Sequence, residues 1–347
     1  MILRLALIGF GNVGQEFARM LLRKREWLLS SKGLDIEVLA IATRSKGSLM
    51  SERGLDLARV LEVEKTHGDL RHYGEGSLDI TPLEMIDRCD ADVMVELTTL
   101  DIGSGQPAID HISYALRSKM HVITANKGPI AFAYDRLESL AKSMNMKLRF
   151  EGTVMDGTPI FNLAEKALQG CEVIRIEGIL NSTSNFVLTE MSGGRSLDDA
   201  VKEAQRRGIA EADPSLDLDG WDAAAKISVL ANVLMGAGSA PDKVVRSGVT
   251  NLSPDDLTAA AREGKKVKLV ARAERTESGV VTSVSPERLN CTSPFWSVDG
   301  TSSAVTLVTD LMGNITILEI DPEVTQTAYA VLSDLLLIVE WMRCNEP

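Results

Sequence analysis

The chain has few of the residues that would indicate a disulfide-stabilised protein, a metal centre or a nucleic-acid binder. Its four cysteines (Cys89, Cys171, Cys291 and Cys344) lie far apart without paired spacing, and its four histidines show no metal-ligand spacing. Lysine and arginine number 37 against 49 acidic residues, and the net charge of -12 argues against binding to nucleic-acid phosphates. We therefore expect reduced thiols, an intracellular, cytoplasmic location and no nucleic-acid partner.

The sequence also lacks an apolar run long enough to cross a bilayer, so no membrane partner is expected. The apolar residues 2–8 lead directly into a glycine turn, which is typical of a buried parallel strand and not of a signal peptide. The length of 347 residues favours two domains.

Alternating strand and helix patterns predict an α/β fold at the start of the chain. Apolar segments typical of strands alternate with helical patterns, which predicts a Rossmann-type, doubly wound parallel sheet over residues 1–150. The pattern then changes, and residues 151–318 predict a second domain of the α+β class. Residues 319–347 contain a long apolar helical pattern, which we expect to pack back on the first domain. The expected strands of the first domain are residues 2–8, 36–44, 93–99, 121–126 and 147–152.

A glycine-rich turn of the form G-x-G-x-x-G follows the first predicted strand. In such a turn the first glycine permits the tight turn, the second lets a pyrophosphate approach the backbone, and the third lets helix and strand pack closely. A glycine turn without a ligand is the alternative, but the strand before the turn and the helix after it favour dinucleotide binding. The expected cofactor-binding residues here are Gly9, Phe10, Gly11, Asn12, Val13 and Gly14.

The end of the second predicted strand bears on the choice of cofactor. Sites for NAD usually carry an acidic residue at this point, which binds the ribose 2′-hydroxyl. Here the strand ends in Thr43, Arg44, Ser45 and Lys46, and no carboxylate competes with the two cations for a 2′-phosphate. We therefore favour NADP and keep NAD as possible, with Arg44, Ser45 and Lys46 as cofactor-binding residues. The alternative is that both cations are solvated surface charges.

Two further strands end in polar residues that would face the ligand crevice of an open α/β sheet. Thr98 and Thr99 follow one strand, and Lys127 follows the next. We expect the threonines to bind the cofactor and Lys127 to lie where nicotinamide and substrate meet. Threonines that only cap a turn, and an exposed loop lysine, are the alternatives.

The stretch 208–226 combines five acidic residues with one lysine. Asp222 and Lys226 are four residues apart and share a helix face, where a surface ion pair would be the ordinary interpretation. Most of the helix around Lys226 is apolar, however, so the lysine is expected to be largely buried and to need partners. Such a lysine can give a proton to an aldehyde oxygen. Surplus carboxylates such as Glu211 can bind a substrate ammonium group.

Six motifs in this order resemble those of homoserine dehydrogenase: GFGNVG, ELTT, TANKGP, FEGTVMDGTPI, GILNSTSNF and EAQRRGIAEADPSLDLDGWDAAAK. The resemblance covers most of the chain. We expect the short, monofunctional form of this family, without the regulatory and kinase segments of longer forms. It implies NAD(P)-dependent interconversion of L-homoserine and L-aspartate 4-semialdehyde, in the biosynthesis of threonine, methionine and isoleucine.

The same resemblance implies roles for individual residues. Lys226 would be the catalytic proton donor, Asp222 would orient it, and Lys127 would contact substrate and lie near the nicotinamide. Glu211, Thr183 and Asp217 would bind or support the substrate.

A structural alkali cation, often sodium, and a homodimer formed through the second domain are also implied by the resemblance. Main-chain oxygens of Glu151, Val154, Asp156 and Thr158 would hold the cation, since hard cations prefer oxygen ligands. Ser182 and Asp156 replace smaller residues of the family. Asp321 and Glu323 stand where the family has a glycine-rich turn, and a carboxylate directed at the cofactor would weaken its binding.

Two other functions are compatible with the motifs. One is a different NAD(P)-dependent oxidoreductase of the same architecture, which acts on another amino-acid aldehyde or on aspartate. The other is a protein that binds a dinucleotide and regulates without catalysis, which the acidic residues 321 and 323 motivate.

Overall fold

The computed structural model describes residues 1–345, which form two compact units. The first unit contains residues 1–159 together with the C-terminal residues from 323 onward, and the second contains residues 160–322. These boundaries differ from the expected ones, which lay between residues 150 and 151 and between residues 318 and 319. Residues 151–159 remain with the first unit because the backbone N–H of Glu151 donates to the buried carboxylate of Asp334 and the Thr327 hydroxyl donates to Asp156.

The first unit is built on a seven-stranded sheet with the order β4-β3-β2-β1-β5-β6-β7. Five neighbouring strands of this sheet pair in parallel, namely β2, β1, β5, β6 and β7. Strands β3 and β4 add an antiparallel edge that the sequence patterns did not predict. The strands are β1 (Ile2–Ile8), β2 (Asp35–Ala42), β3 (Ser48–Met50), β4 (Ser77–Leu78), β5 (Val93–Glu96), β6 (His121–Thr124) and β7 (Leu148–Arg149). The predicted α/β fold class with a Rossmann-type parallel sheet is confirmed.

Six helices complete the first unit. They are α1 (Asn12–Lys32), α2 (Leu57–His67), α3 (Pro82–Arg88), α4 (Ala108–Arg117), α5 (Lys127–Met144) and α12 (Val324–Asn345). Helix α12 packs against α1, and its residues Val331, Leu335 and Ile338 belong to the same apolar core as Phe17 and Leu21 of α1. No helix in the part of the chain that the structure describes has the length and apolar character needed to span a membrane.

The second unit is built on a six-stranded, largely antiparallel sheet with the order β13-β12-β8-β10-β11-β9. Its strands are β8 (Val173–Ile179), β9 (Val245–Arg246), β10 (Lys266–Thr276), β11 (Gly279–Leu289), β12 (Ser303–Thr309) and β13 (Gly313–Glu319). Its helices are α6 (Ile160–Ala167), α7 (Ser182–Ser192), α8 (Leu197–Arg206), α9 (Ser215–Leu218), α10 (Trp221–Met235) and α11 (Pro254–Arg262). Helix α10 is mostly buried and packs on β8, β10 and β11.

A buried lysine of β10 connects this sheet to α7 and to the loop before β12. The side chain of Lys268 is 2% exposed, and its Nζ donates to Asn185 Oδ1 at 2.9 Å, to Asp299 Oδ1 at 2.8 Å and to the carbonyl oxygen of Val298. Burial lowers the pKa of Lys268, while the carboxylate of Asp299 opposes that shift. The three acceptors account for the presence of a buried cation at this position.

We expect Lys268→Met to destabilise the protein although methionine fills a similar volume. The change leaves the buried Oδ1 of Asn185 without its donor, and the Val298 carbonyl oxygen keeps only the Asn185 amide. An unsatisfied buried acceptor costs about 1–3 kcal/mol. Urea unfolding should show a loss of about 3 kcal/mol. Lys266→Met is the matched control, because the Lys266 side chain is 31% exposed and its ion pair with Asp299 is worth about 1 kcal/mol or less. Equal losses in the two variants would contradict the role of burial.

Candidate active site

The glycine turn of the first unit has the geometry of a phosphate-binding turn. Gly9 has φ +103°, and a Cβ there would lie 2.5 Å from the carbonyl oxygen of Leu97, so only glycine fits between β1 and the loop after β5. A Cβ on Gly14 would lie 3.0 Å from the carbonyl oxygen of Gly9, which shows how closely α1 begins behind the turn. A Cβ on Gly11 would meet nothing within 4 Å. The middle glycine thus faces open space, where a ligand can approach the backbone.

Helix α1 begins at Asn12, directly after Gly11, and its first turn contains no acidic residue. A helix start of this kind directs backbone N–H groups and the positive end of the helix dipole at an anion. Asn12 is exposed and Val13 half-buried, whereas Phe10 is 2% exposed and lies in the apolar core. Phe10 can therefore contribute only its main chain to a dinucleotide site. These residues fit a bound pyrophosphate.

The loop after β2 contains one exposed cation and one that is already paired. Arg44 and Ser45 are exposed, and the structure records no hydrogen bond or ion pair of the Arg44 side chain among residues 1–345. Lys46 Nζ, by contrast, lies 2.5 Å from Glu64 Oε1 of α2. The guanidinium of Arg71, which the motifs did not single out, donates to the carbonyl oxygen of Ser45 at 3.3 Å and to Asp69. Arg44 is the cation best able to accept a new phosphate partner.

The polar residues after β5 and β6 form one hydrogen-bonded network around Glu96, which the sequence analysis did not identify as a site residue. Glu96 is fully buried, and its carboxylate accepts hydrogen bonds from the backbone N–H and hydroxyl of Thr98 and from the Thr124 hydroxyl. His111 Nδ1 lies 3.7 Å from the same carboxylate. Thr99 is exposed next to this network. The ELTT motif alone contained a signal, because a glutamate inside an apolar strand needs polar partners.

Asn126 connects the network to the start of α5. Its side-chain oxygen accepts from the backbone N–H of Gly128 and caps α5, while its amide donates to the carbonyl oxygen of Thr98 at 3.2 Å. Lys127 is the first residue of α5 and is half-buried. The structure therefore brings Thr98 and Lys127 to adjacent loops of the same sheet edge.

In the second unit, Lys226 lies in α10 among polar groups of the junction between β8 and α7. Its Nζ donates to the carbonyl oxygen of Leu180 at 2.7 Å and lies 3.3 Å from Asp222 Oδ2. The side chains of Lys226 and Asp222 are 17% and 14% exposed, so this is not a solvated surface pair. Most of the lysine side chain is covered, and a carbonyl and a carboxylate direct its amino group. A lysine held in this way can exchange a proton with a ligand.

Asn181, which was not predicted as a site residue, connects two carboxylates of this cluster. Its Nδ2 donates to Asp217 Oδ1 at 2.7 Å and to Asp222 Oδ2 at 2.9 Å. Burial raises the pKa of Asp217 and the nearby Asp222 adds to that rise, whereas the hydrogen bond from Asn181, the nearby Thr183 hydroxyl and the charge of Lys226 oppose it. The cluster therefore holds two carboxylates and one lysine in a partly desolvated place.

The remaining acidic residues of the stretch 208–226 have other surroundings. Glu211 and Asp213 are exposed, and Asp213 accepts from the backbone N–H of Ser215. Asp219 Oδ1 accepts from the Thr250 hydroxyl at 3.3 Å. Thr183, near the start of α7, donates its hydroxyl to the carbonyl oxygen of Ile209, which ties this threonine to the beginning of the acidic stretch.

The residues expected to hold a cation lie between β7 and α6. Glu151, Val154 and Thr158 are buried, and Asp156 has φ +43° with its carboxylate accepting from the Thr327 hydroxyl at 2.7 Å. Within residues 1–345 no group of three or more histidine, cysteine, aspartate or glutamate side chains is arranged to hold a metal. Main-chain oxygens remain the donors that suit a hard cation here.

Of the departures from the resembled motifs, the structure gives Asp321 a local partner. Its carboxylate accepts from the Thr301 hydroxyl at 2.9 Å, and its φ is +44°. The backbone N–H of Glu323 donates to Gln326 Oε1 close to the start of α12. Both residues therefore help to shape the turn before α12.

Comparisons with known proteins agree with this geometry. Residues 9–151 match the homoserine dehydrogenase NAD-binding domain, and residues 159–336 match homoserine dehydrogenase. The chain is 36% identical over 336 residues to an NAD(+)-dependent homoserine dehydrogenase of Pseudomonas canavaninivorans, with 96% of each chain covered. It is 37% identical over 333 residues to a homoserine dehydrogenase of Methanocaldococcus jannaschii, with 96% of this chain and 97% of the relative covered.

Solved structures give the same result. A hyperthermophilic archaeal homoserine dehydrogenase in complex with NADPH has a TM-score of 0.83 and 30% identity, and the match covers 98% of both chains. A homoserine dehydrogenase of Thiobacillus denitrificans has a TM-score of 0.85 and 29% identity, and the match covers 99% of this chain and 75% of that one. Together, the domain matches, the high-coverage relatives and the two polar clusters show that this chain belongs to the homoserine dehydrogenase family.

Proposed function

We propose that this chain is an NAD(P)-dependent homoserine dehydrogenase that interconverts L-homoserine and L-aspartate 4-semialdehyde. The observation that carries the proposal is the largely covered amino group of Lys226, which a main-chain carbonyl and Asp222 direct. The glycine turn and the start of α1 supply a fitting site for a dinucleotide in the first unit. Two relatives that match over 96% of this chain carry the name of this activity.

Lys226 is proposed as the group that moves the proton. When bound, the nicotinamide supplies or accepts the hydride. The Lys226 ammonium gives its proton to the aldehyde oxygen as negative charge develops there, and in the reverse direction the neutral amine takes the proton from the hydroxyl. Asp222, 3.3 Å from Nζ, orients the amino group.

Other side chains are proposed to bind the charged ends of the substrate. Glu211 offers a carboxylate to the substrate ammonium group, while Asp217 and Thr183 support the same end of the cluster. Lys127 offers a cation to the substrate carboxylate and a contact near the nicotinamide. This division of charge matches an amino acid, whose ammonium and carboxylate need partners of opposite sign.

We propose NADP as the preferred cofactor, with NAD also accepted. Thr98 and Thr99 contact the cofactor beside the glycine turn, and Arg44 with Ser45 binds the 2′-phosphate. Lys46 has a weaker claim than the sequence indicated, because Glu64 already pairs with it. One relative is named as NAD(+)-dependent and one solved neighbour contains NADPH, so the family includes proteins associated with each cofactor.

A structural alkali cation and a homodimer complete the proposal. The cation is held by main-chain oxygens of Glu151, Val154, Asp156 and Thr158, with no step of the reaction passing through it. The dimer forms through the second unit. Light scattering should then give about twice the 37.6 kDa mass of one chain, and a mass of one chain at micromolar concentration would refute the dimer.

We expect Lys226→Ala to abolish turnover of homoserine while dinucleotide binding survives. Loss of a positioned acid or base lowers kcat by about 10²- to 10⁴-fold, and the glycine turn belongs to the other unit. Absorbance at the nicotinamide band measures turnover, and fluorescence titration measures cofactor binding. Lys243→Ala is the matched control, since Lys243 is an exposed lysine of the same unit. Near-normal turnover of Lys226→Ala would refute the assignment.

We expect Arg44→Ala to raise the KM for NADPH about tenfold or more and to change the KM for NADH by less than about twofold. The difference arises because a charge-assisted hydrogen bond to the 2′-phosphate is worth about 1.5–3 kcal/mol, and NADH lacks that group. Arg53→Ala serves as the control, because Arg53 is an exposed arginine of the same unit. Equal effects of Arg44→Ala on both cofactors would remove the 2′-phosphate argument.

A further inference from the structure

We propose that the side-chain amide of Asn181 is a positioning group, which holds the carboxylates of Asp217 and Asp222 in place. Through Asp222 it also sets the orientation of the Lys226 amino group. Asn181 is not proposed to touch the substrate or the cofactor. This inference rests on the proposed function, because the cluster it organises is the one assigned to proton transfer.

The amide of Asn181 has one possible orientation. Its Oδ1 accepts from the backbone N–H of Ser184 at 2.7 Å, as the N-cap of α7. That bond needs an acceptor, so the oxygen must face the helix and Nδ2 must face the carboxylates. Nδ2 carries two N–H groups, and the two carboxylates take them at 2.7 and 2.9 Å. The cap of α7 thus orients the donor for the cluster.

The two carboxylates need such a donor because they repel each other in a partly desolvated place. Burial and Asp222 raise the pKa of Asp217. The hydrogen bond from Asn181 is the strongest of the interactions that oppose this rise, and Thr183 and Lys226 have smaller effects. The groups that face Asp217 are therefore Asn181, the N-cap of α7, Thr183 of α7, and Asp222 and Lys226 of α10. An amide stabilises the ionised forms without adding a charge.

The position of Asn181 in the chain makes it a rigid support. It follows Leu180, whose carbonyl oxygen accepts from Lys226 Nζ. Both residues come directly after β8, an interior strand of the six-stranded sheet. The same short junction therefore fixes the lysine at one residue and the two carboxylates at the next, and groups built on rigid elements keep their geometry best.

The test uses Asn181→Ser and Asn181→Ala, with Ser184→Ala as the matched control. Serine keeps an N-cap acceptor for α7 but cannot donate to both carboxylates, whereas alanine loses the cap as well. Ser184→Ala removes a neutral hydrogen bond from the hydroxyl of Ser184 to the Asn181 carbonyl oxygen in the same turn and leaves the carboxylates untouched. Loss of activity caused only by a weaker helix start would therefore appear in Asn181→Ala and be absent from Asn181→Ser.

We expect Asn181→Ser to lower kcat about 100-fold with homoserine, since small displacements of catalytic groups have effects of this size. The dissociation constant of the cofactor should stay within about twofold. The acidic limb of the pH profile of kcat/KM should move to higher pH, because Asp217 protonates more easily without the amide. Ser184→Ala should show the same kcat and the same acidic limb of the pH profile as the unmodified enzyme. If Asn181→Ser also keeps both, the positioning role is refuted while the proposed function stands.

A second readout does not need activity. The amide stabilises the fold through Asp217 only while that carboxylate is ionised, so the Tm difference between the unmodified protein and Asn181→Ser should shrink as pH falls through the titration of Asp217. The difference for Ser184→Ala should not change with pH. A Tm difference for Asn181→Ser that does not change with pH would refute the proposed contact of the Asn181 amide with the ionised Asp217. Absence of turnover in the unmodified protein would refute the proposed function, and the Tm series would still decide the role of Asn181.

Discussion

The hydrogen bond from Lys226 to the Leu180 carbonyl oxygen is the interaction on which the second unit's cluster depends. A lysine in a helix rich in alanine and leucine must either reach water or find polar partners, because desolvation of an unpaired ammonium is costly. The helix keeps the side chain mostly covered, and the end of β8 supplies the partner at 2.7 Å. Asp222, one turn earlier, adds the second partner. Packing and chemistry therefore impose the same direction on the amino group.

Much of the fold follows from local patterns, and its exceptions have physical causes. Continuous apolar runs such as Ile2–Ile8 predict buried parallel strands, and the confirmed Rossmann-type sheet follows from their alternation with helices. The edge strands Ser48–Met50 and Ser77–Leu78 have only three and two residues, too few for a periodic pattern. The expected strand 93–99 ends at Glu96, because the carboxylate of Glu96 accepts from the backbone N–H of Thr98 and turns the chain out of the ladder.

The candidate site was predictable where its residues are close in sequence and not where tertiary contacts create it. Asp222 and Lys226 are four apart on one helix, so their proximity follows from helix geometry. Asn181 meets Asp217 and Asp222 across 36 and 41 residues, and no periodicity indicates such a pairing. Conversely, Lys46 was a plausible phosphate ligand by sequence, but α2 brings Glu64 to it across 18 residues.

An amide is better suited than a cation to the place between the two carboxylates. Arginine at position 181 would hold Asp217 and Asp222 with stronger, charge-assisted bonds, but it would also neutralise them. The carboxylate of Asp222 would then attract the Lys226 ammonium less, and a substrate ammonium would find less negative potential in the cluster. Asparagine fixes the positions of the two carboxylates without neutralising them, so both negative charges can still attract an ammonium group. The cost is a raised pKa at Asp217, which an uncharged donor reduces but does not remove.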